Sequence, residues 1–320
     1  MSVLVLSEDF DPTVDAVIDE LHRRDVEVFR CDTAWFPSRM SLAAELGGDR
    51  WEGPLVTEDR CVSLMGLRSG WYRRPTAFVF SDGMSGPERR HAEWEAKLGF
   101  GGVLADLPLL WVNHPSREAD ASYKPVQLAT AARCHLTVPP TLITNRPDAV
   151  RRFAADQRGH VVVKPLAYGS VFEAGGRKAI YTHALTTEEL IDLTGVETTA
   201  HLFQRAILDK MFEARVTVVG RRIFAASIHA DSDAARADWR SDYDSLRINV
   251  VDLPPEVAQG VVAFMDALGL MFGAFDFAVD SDGVWWFFEC NSAGQFGFVE
   301  DATGLPITAA LADLLQRGHV

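Results

Sequence analysis

Cysteine is scarce: four residues in 320, with no CxxC pair, give the chain neither a disulfide framework nor a zinc ribbon. Cys31, Cys61, Cys134 and Cys290 read instead as reduced thiols packed like small hydrophobes. No apolar run reaches the roughly 18 residues of a membrane-spanning helix, so no membrane partner is expected. Clustered Lys and Arg are also missing, and the formal net charge is −14. That balance argues against a nucleic-acid partner, because phosphate contacts need a basic stripe. The opening MSVLVLSEDF lacks the basic residues that lead a secretory signal, so the expected location is cytoplasmic. No GxGxxG follows the first apolar run, which removes a dinucleotide site. Internal repeats and low-complexity segments are absent as well.

What is present is ordinary globular material, 48% hydrophobic and 24% charged, enough for two or three cores. Val3 to Leu6 reads as a strand, a helix begins at Asp11-Pro12, and Val26 to Phe29 is the next strand. Strands and loops follow from Trp51 to Tyr72, then a helix from about Pro87 to Gly99. Domain edges fall near WVNHP at 111 to 115 and after residue 195. Pro125 to Cys134 and Pro147 to Ala155 read as helices, with strands at Thr141 to Ile143 and His160 to Pro165. Residues 167 to 178, with three glycines, read as a loop. Beyond Leu202, strands at Arg215 to Val219, Ile223 to Ile228 and Arg247 to Val250 precede helices at Pro255 to Leu268 and Pro306 to Gln316. The fold class is α/β (α+β).

The most informative stretch is the hairpin Phe275 to Cys290. Asp282-Gly283 between apolar runs predicts a two-residue turn with φ > 0 at both positions. Counting outward from that turn sets Asp276 opposite Glu289, with Asn291 on the same face as Glu289. Like charges placed so are destabilising. Two carboxylates and an amide on rigid strands suit magnesium, and the cation would relieve the repulsion. A solvated acidic face is the bland alternative, and Trp285, Trp286, Phe287 and Phe288 argue for a buried hairpin instead.

Lys164 ends the apolar run VVVK and Lys124 precedes a helix; each reads either as a phosphate contact or as an ordinary surface lysine. Gln204, Arg205, Ala206 and Ile207 follow a strand and offer the backbone donor and acceptor that adenine needs. Glu213 and Arg215 share a strand face, and Arg247 lies in LRINV. The bland reading of Glu213 and Arg215 is an i, i+2 ion pair on an exposed face; Arg247 would neutralise a transferring phosphate or is an exposed strand charge.

The order Lys124, Lys164 forty positions on, Gln204, Glu213-x-Arg215, Arg247, Asp276 and Glu289-x-Asn291 resembles the ATP-grasp superfamily over residues 119 to 316. WYRRP at 71 to 75, WVNHP, VPPTLITN at 138 to 145, FEARVTVVG at 212 to 220, DWR at 238 to 240 and ECNSAGQF at 289 to 296 narrow it. Together they resemble the graspetide synthetases, the ribosomal-peptide maturases related to microviridin ligases. Cys290 departs from the aliphatic residue usual in that group, and the 167 to 178 stretch is short and carries Tyr168 and Phe172.

That resemblance implies an ATP-grasp fold with an N-terminal pre-ATP-grasp α/β domain over 1 to 118, a central subdomain over 119 to 195 and a C-terminal subdomain over 196 to 320. It implies ATP and Mg²⁺, the metal held by Asp276, Glu289 and Asn291. Nucleotide would lie on Lys124, Lys164, Gln204 to Ile207 and Glu213, with Arg215 and Arg247 as catalytic groups. The implied partner is a ribosomally made precursor peptide with leader and core, handled by a homodimer. The implied reaction closes ω-ester or ω-amide rings between Asp or Glu and Ser, Thr or Lys side chains through an acyl phosphate. Arg73, Arg74, Asp238 and Arg240 are candidate peptide contacts. Two other readings are a ligase adding a free amino acid to a terminus and a non-catalytic peptide-binding protein.

Overall fold

The computed structural model describes residues 1–167, 181–230 and 245–320, with the backbones of Ser170–Glu173 and Gly176–Ala179. At the N-terminus, Ser2–Ser7 pairs in parallel with Val28–Cys31 on one side and Leu67–Arg73 on the other, and Leu110–Val112 extends that sheet. Every residue of Ser2–Ser7 is buried, as a parallel strand covered on both faces requires. Asp11 caps the helix Pro12–Arg23 by accepting the Thr13 and Val14 N–H groups, with Pro12 at the first helical position. Asp25, at φ +55°, turns the chain out of that helix, so the second strand pairs from Val28 rather than Val26. The expected helix at 87 to 99 is longer: Gly86–Glu95 continues through a π-helical turn, Ala96–Phe100, into Gly101–Asp106.

The middle of the chain builds an antiparallel sheet in the order Thr141–Thr144, His201–Arg205, Val161–Lys164, His183–Ala184. The helix Pro147–Asp156 seals it by packing Val150 and Ala154 against Val161 and Phe203. The stretch read as a loop at 167 to 178 contains a hairpin, Ser170–Glu173 against Gly176–Ala179. Tyr168, Asp238 and Arg240 lie outside the described residues, as does the side chain of Phe172.

A five-stranded antiparallel sheet completes the molecule, in the order Leu246–Val250, Arg222–Ala230, Lys210–Val219, Phe272–Asp280, Trp285–Asn291. One face, through Ala214, Val216, Phe275, Phe277 and Phe287, packs on the helices Lys124–Arg133 and Pro255–Leu268. On the other face, Val219, Phe224, Ala226, Phe272 and Ala274 share a core with Val3, Val5 and Trp71 and with the helix Ile307–Arg317. The last helix therefore welds the first sheet to the last. A short helix, Gly297–Thr303, was not anticipated from the sequence. Among the described residues no helix is long and apolar enough to cross a membrane. All four cysteines are free thiols; Cys31 and Cys290 are buried as expected, Cys134 is half-buried, and Cys61 is exposed, contrary to expectation.

Candidate active site

The hairpin at the sheet edge places Asp276 directly opposite Glu289, as counting from the turn requires, but two departures cancel to give that result. The turn is not the two-residue type. Gly283 N–H donates to Asp280 O at 3.0 Å and Asp280 N–H to Val284 O at 3.2 Å, so Ser281, Asp282 and Gly283 form a three-residue loop. Gly283 alone takes positive φ there, at +78°. The Asp280 carboxylate selects this loop by accepting the N–H groups of Asp282 and Val284 and the Trp286 indole N–H. Pairing thus starts one residue out, with Val279 opposite Trp285. A bulge between Asp276 and Phe277 then absorbs Phe288 and restores the register.

That bulge also re-aims the strand. Trp285, Phe287 and Cys290 point into the core, while Trp286, Phe288, Glu289 and Asn291 are half-buried. Without the extra residue, Glu289 would share a face with Phe287, which is fully buried. Phe288 and Trp286 consequently become platforms: Lys164 Nζ lies 3.7 Å from the Phe288 ring centroid and the Arg205 guanidinium 4.6 Å from that of Trp286.

Each acid meets a protein cation. Lys124 Nζ stands 2.9 Å from Glu289 Oε2, Arg215 Nε stands 3.0 Å from Asp276 Oδ1, and Lys210 contacts Glu213. Lys210 was not singled out from the sequence, where a lysine just before a strand has no distinguishing mark. These pairs correct the argument that a divalent ion alone relieves the facing carboxylates. Loss of surrounding water pulls the Lys164 ammonium down to about 8, helped by Lys124 and opposed by Glu289, Glu213 and Asp276. Among the described residues, the four cations Lys124, Lys164, Lys210 and Arg215 stand around the carboxylates of Asp276, Glu289 and Glu213, a concentration of positive charge that suits a polyanion.

Magnesium fits the donors present. Asp276, Glu289 and Asn291 offer oxygen alone, and Asn291 Oδ1 accepts the Ala293 N–H at 3.0 Å, which orients the amide. Among the described residues, no three His, Cys, Asp or Glu side chains gather into a softer donor set. Gly294 lets the following loop close on the site. A Cβ there would stand 2.5 Å from Ala274 Cβ and 3.3 Å from an Arg215 guanidinium nitrogen.

In the segment expected to hold adenine, Arg205 and Ala206 donate their N–H groups to Pro140 O at 2.9 Å and His160 O at 3.0 Å. Among the described residues, the Ile207 N–H has no backbone acceptor. Gln204 is buried, its amide nitrogen donating to Thr141 Oγ1 at 2.9 Å. Arg247 is not brought to Arg215. Its strand pairs it with His229, and by alternation it lies on the opposite side of the sheet from Arg215 and Asp276. Arg73 is not a surface peptide contact either, because it is fully buried beneath the 293 to 295 loop; Arg74, at φ +49°, is the exposed member of that pair.

Residues 2–119 match the family described as MvdD pre-ATP grasp domain. Among solved structures, the chain is similar to a Chryseobacterium gregarium RiPP-associated ATP-grasp ligase in complex with ADP and a leader and core peptide. Identity is 26% and the TM-score 0.90, over 99% of this chain and 97% of that one. It is similar to the macrocyclase MdnC of Microcystis aeruginosa MRC bound with precursor peptide MdnA, at 28% identity and TM-score 0.85, over 99% of each chain. It is similar also to the ATP-grasp ligase PsnB complexed with minimal precursor, Mg and ADP, at 25% identity and TM-score 0.74, over 98% of this chain and 96% of that one. Comparison with curated proteins gives no match.

Proposed function

We propose that this chain, which has the ATP-grasp ligase fold and an MvdD-type pre-ATP-grasp domain, is an ATP-dependent macrocyclase of a ribosomal precursor peptide. The observation that carries the reading is the facing pair Asp276 and Glu289, with Asn291 beside it, inside a ring of protein cations.

Lys124 and Lys164 bind the β- and γ-phosphates as point charges, and Arg215 offsets charge on the transferring group. The segment Gln204 to Ile207 holds the adenine edge, and Glu213 positions Lys210 at the nucleotide. Magnesium would be held by Asp276, Glu289 and Asn291 and would supply neutralisation of phosphate charge. A side-chain carboxylate of the peptide attacks the γ-phosphorus; the bond to the β-phosphate oxygen breaks and ADP leaves. A Ser or Thr hydroxyl, or a Lys amine, then attacks the acyl carbon, loses its proton and expels phosphate, closing an ω-ester or ω-amide. The protein's share is positioning, charge neutralisation and exclusion of water from the acyl phosphate.

The three-part division at residues 118 and 195, a homodimeric enzyme and a cytoplasmic setting complete the proposal. Incubation with ATP, Mg²⁺ and a candidate precursor, followed by mass spectrometry, tests it. One water mass lost per ring is expected. A gained amino-acid mass would instead identify a terminal ligase, and an unchanged peptide without ATP consumption would identify a binding protein.

A further inference from the structure

Glu289 and Asn291 flank Cys290 on the outermost strand of the five-stranded sheet. Its inner neighbour sets Phe275 opposite Cys290, and the polar backbone groups of Cys290 face outward from the sheet. An edge strand left so would carry an unsatisfied N–H and C=O in a buried setting. Gln127 supplies both partners. Its Oε1 accepts the Cys290 N–H at 2.8 Å, and its Nε2 donates to Cys290 O at 2.9 Å and to Ala121 O at 2.6 Å. The side chain is 5% exposed, so no water competes for these bonds. One amide thereby does the work of a sixth strand at the single residue that separates the two candidate ligands. Three positions earlier on the same helix, Lys124 pairs with Glu289, so one helical turn touches both the backbone and a side chain of the ligand strand.

Two further buried side chains hold the chain just beyond Asn291. Asn113 donates to Ser292 O and Phe272 O, each at 2.9 Å, and accepts the N–H groups of Met271 and Phe272. Arg73 donates to the carbonyls of Ala293 and Gly294. These grips tie the loop beyond Asn291 to the N-terminal sheet; the grip of Gln127 lies within the ligand segment itself.

We propose that Gln127 is a positioning residue for the metal-ligating pair: its amide sets the backbone of Cys290 and with it the separation of the Glu289 and Asn291 side chains. The inference rests on the reading of Asp276, Glu289 and Asn291 as magnesium ligands. Outer partners that orient ligands change metal affinity by about 10- to 100-fold when removed. A glutamine that only closed a sheet edge would change stability and leave metal affinity alone.

The test measures Mn²⁺ affinity by electron paramagnetic resonance on full-length protein saturated with a non-hydrolysable ATP analogue, beside the thermal midpoint. Gln127→Met removes every polar contact, and Gln127→Glu keeps an acceptor for the Cys290 N–H but loses the amide donors. Both are expected to raise the Mn²⁺ Kd at least about tenfold. Ser69→Ala is the comparison, because Ser69 Oγ donates to Leu315 O at 2.8 Å in the core shared with the N-terminal sheet. It should lower the midpoint and leave the Mn²⁺ Kd unchanged. Wild-type Mn²⁺ affinity in folded Gln127 variants, or an equal shift in Ser69→Ala, would overturn the proposal; if the Met variant does not fold, the Glu variant decides. Asp276→Asn is measured in parallel. Wild-type Mn²⁺ affinity in that variant removes the metal reading and the inference with it, whereas its loss there without change at Gln127 removes the inference alone.

Discussion

Arg73 and Arg215 are both buried arginines paired with a buried aspartate, yet they belong to regions with opposite jobs. The Arg73 guanidinium bonds Asp11, the carbonyls of Ala293 and Gly294, and Gln295 Oε1 at 2.8 Å. Burial pulls it down to about 10 against the pull of Asp11, and all its named partners are parts of the frame. It rivets the N-terminal sheet to the loop behind the site. Arg215 pairs with Asp276, but Lys164 acts on that same carboxylate and on Glu289 opposite it. Burial and ion pairing are alike in the two cases. The neighbours differ: Arg73 directs its hydrogen bonds to a capping carboxylate, two backbone carbonyls and an amide, with Glu118 and Arg74 acting on it from nearby, whereas the pair Arg215 and Asp276 sits where Lys164, Lys124 and Glu289 converge.

Breaking that contrast starts at the carboxylates. Asp276→Ala or Glu289→Ala is expected to lower peptide-dependent ATP turnover by about a thousandfold with the circular dichroism spectrum retained. Near-normal turnover in either would move chemistry out of this region. On the other side, Arg73→Ala should cost about 3–5 kcal/mol in urea unfolding, because it leaves Asp11 buried without its partner. If folded material is recovered, its turnover per folded molecule should stay within a fewfold of wild type.

A pH series sharpens the comparison through Lys164. Its pKa lies near 8 in the folded chain and near 10.5 in an unfolded one, so the unfolded state holds the extra proton between those values. Stability of the ligand-free protein from this group therefore rises as pH goes from about 8 to about 10.5. Affinity for ATP is expected to run the other way, since deprotonation would remove the phosphate contact proposed for Lys164. kcat/KM for ATP should fall above about pH 8, and Lys164→Arg should abolish that limb while keeping charge at all pH values. A limb unchanged in the arginine variant would assign it to another group. The smallest effect is expected at the platform: Trp286→Ala loses the Arg205 stacking and the indole bond to Asp280, and should cost about 2–3 kcal/mol in urea unfolding beyond the buried area of the ring.

Much of the fold was legible because its signals are local. Asp11-Pro12, the apolar run at 161 to 164 and the helix at 255 to 268 each follow from capping, hydrophobicity or spacing within a few residues. Lys124, Lys164, Glu213, Arg215, Asp276, Glu289 and Asn291 were also named from sequence, and the tertiary structure gathers them. The register of the hairpin was harder to read. The side chain of Asp280 chose a longer turn than Asp282-Gly283 suggests, and the bulge at Phe288 compensated, which no count along the strand reveals. Arg247 was misjudged because a face can be assigned only once a strand has a neighbour. Gln127 carried no signal at all, since an amide in a helix gives no hint of which backbone it will meet.

The amino-acid order by itself determined the element types and the pool of acids and cations, because alternation, caps and charge are properties of short stretches. Which carboxylate faces which, which arginine ties the sheets together and which lies beside the facing acids, and which amide holds the backbone of Cys290 were decided by packing. Those outcomes depend on contacts between residues more than a hundred positions apart, such as Gln127 with Cys290 and Arg73 with Gly294. Such contacts form only when the sheets close on a common core, and until then the side chains involved have no fixed partner to recognise.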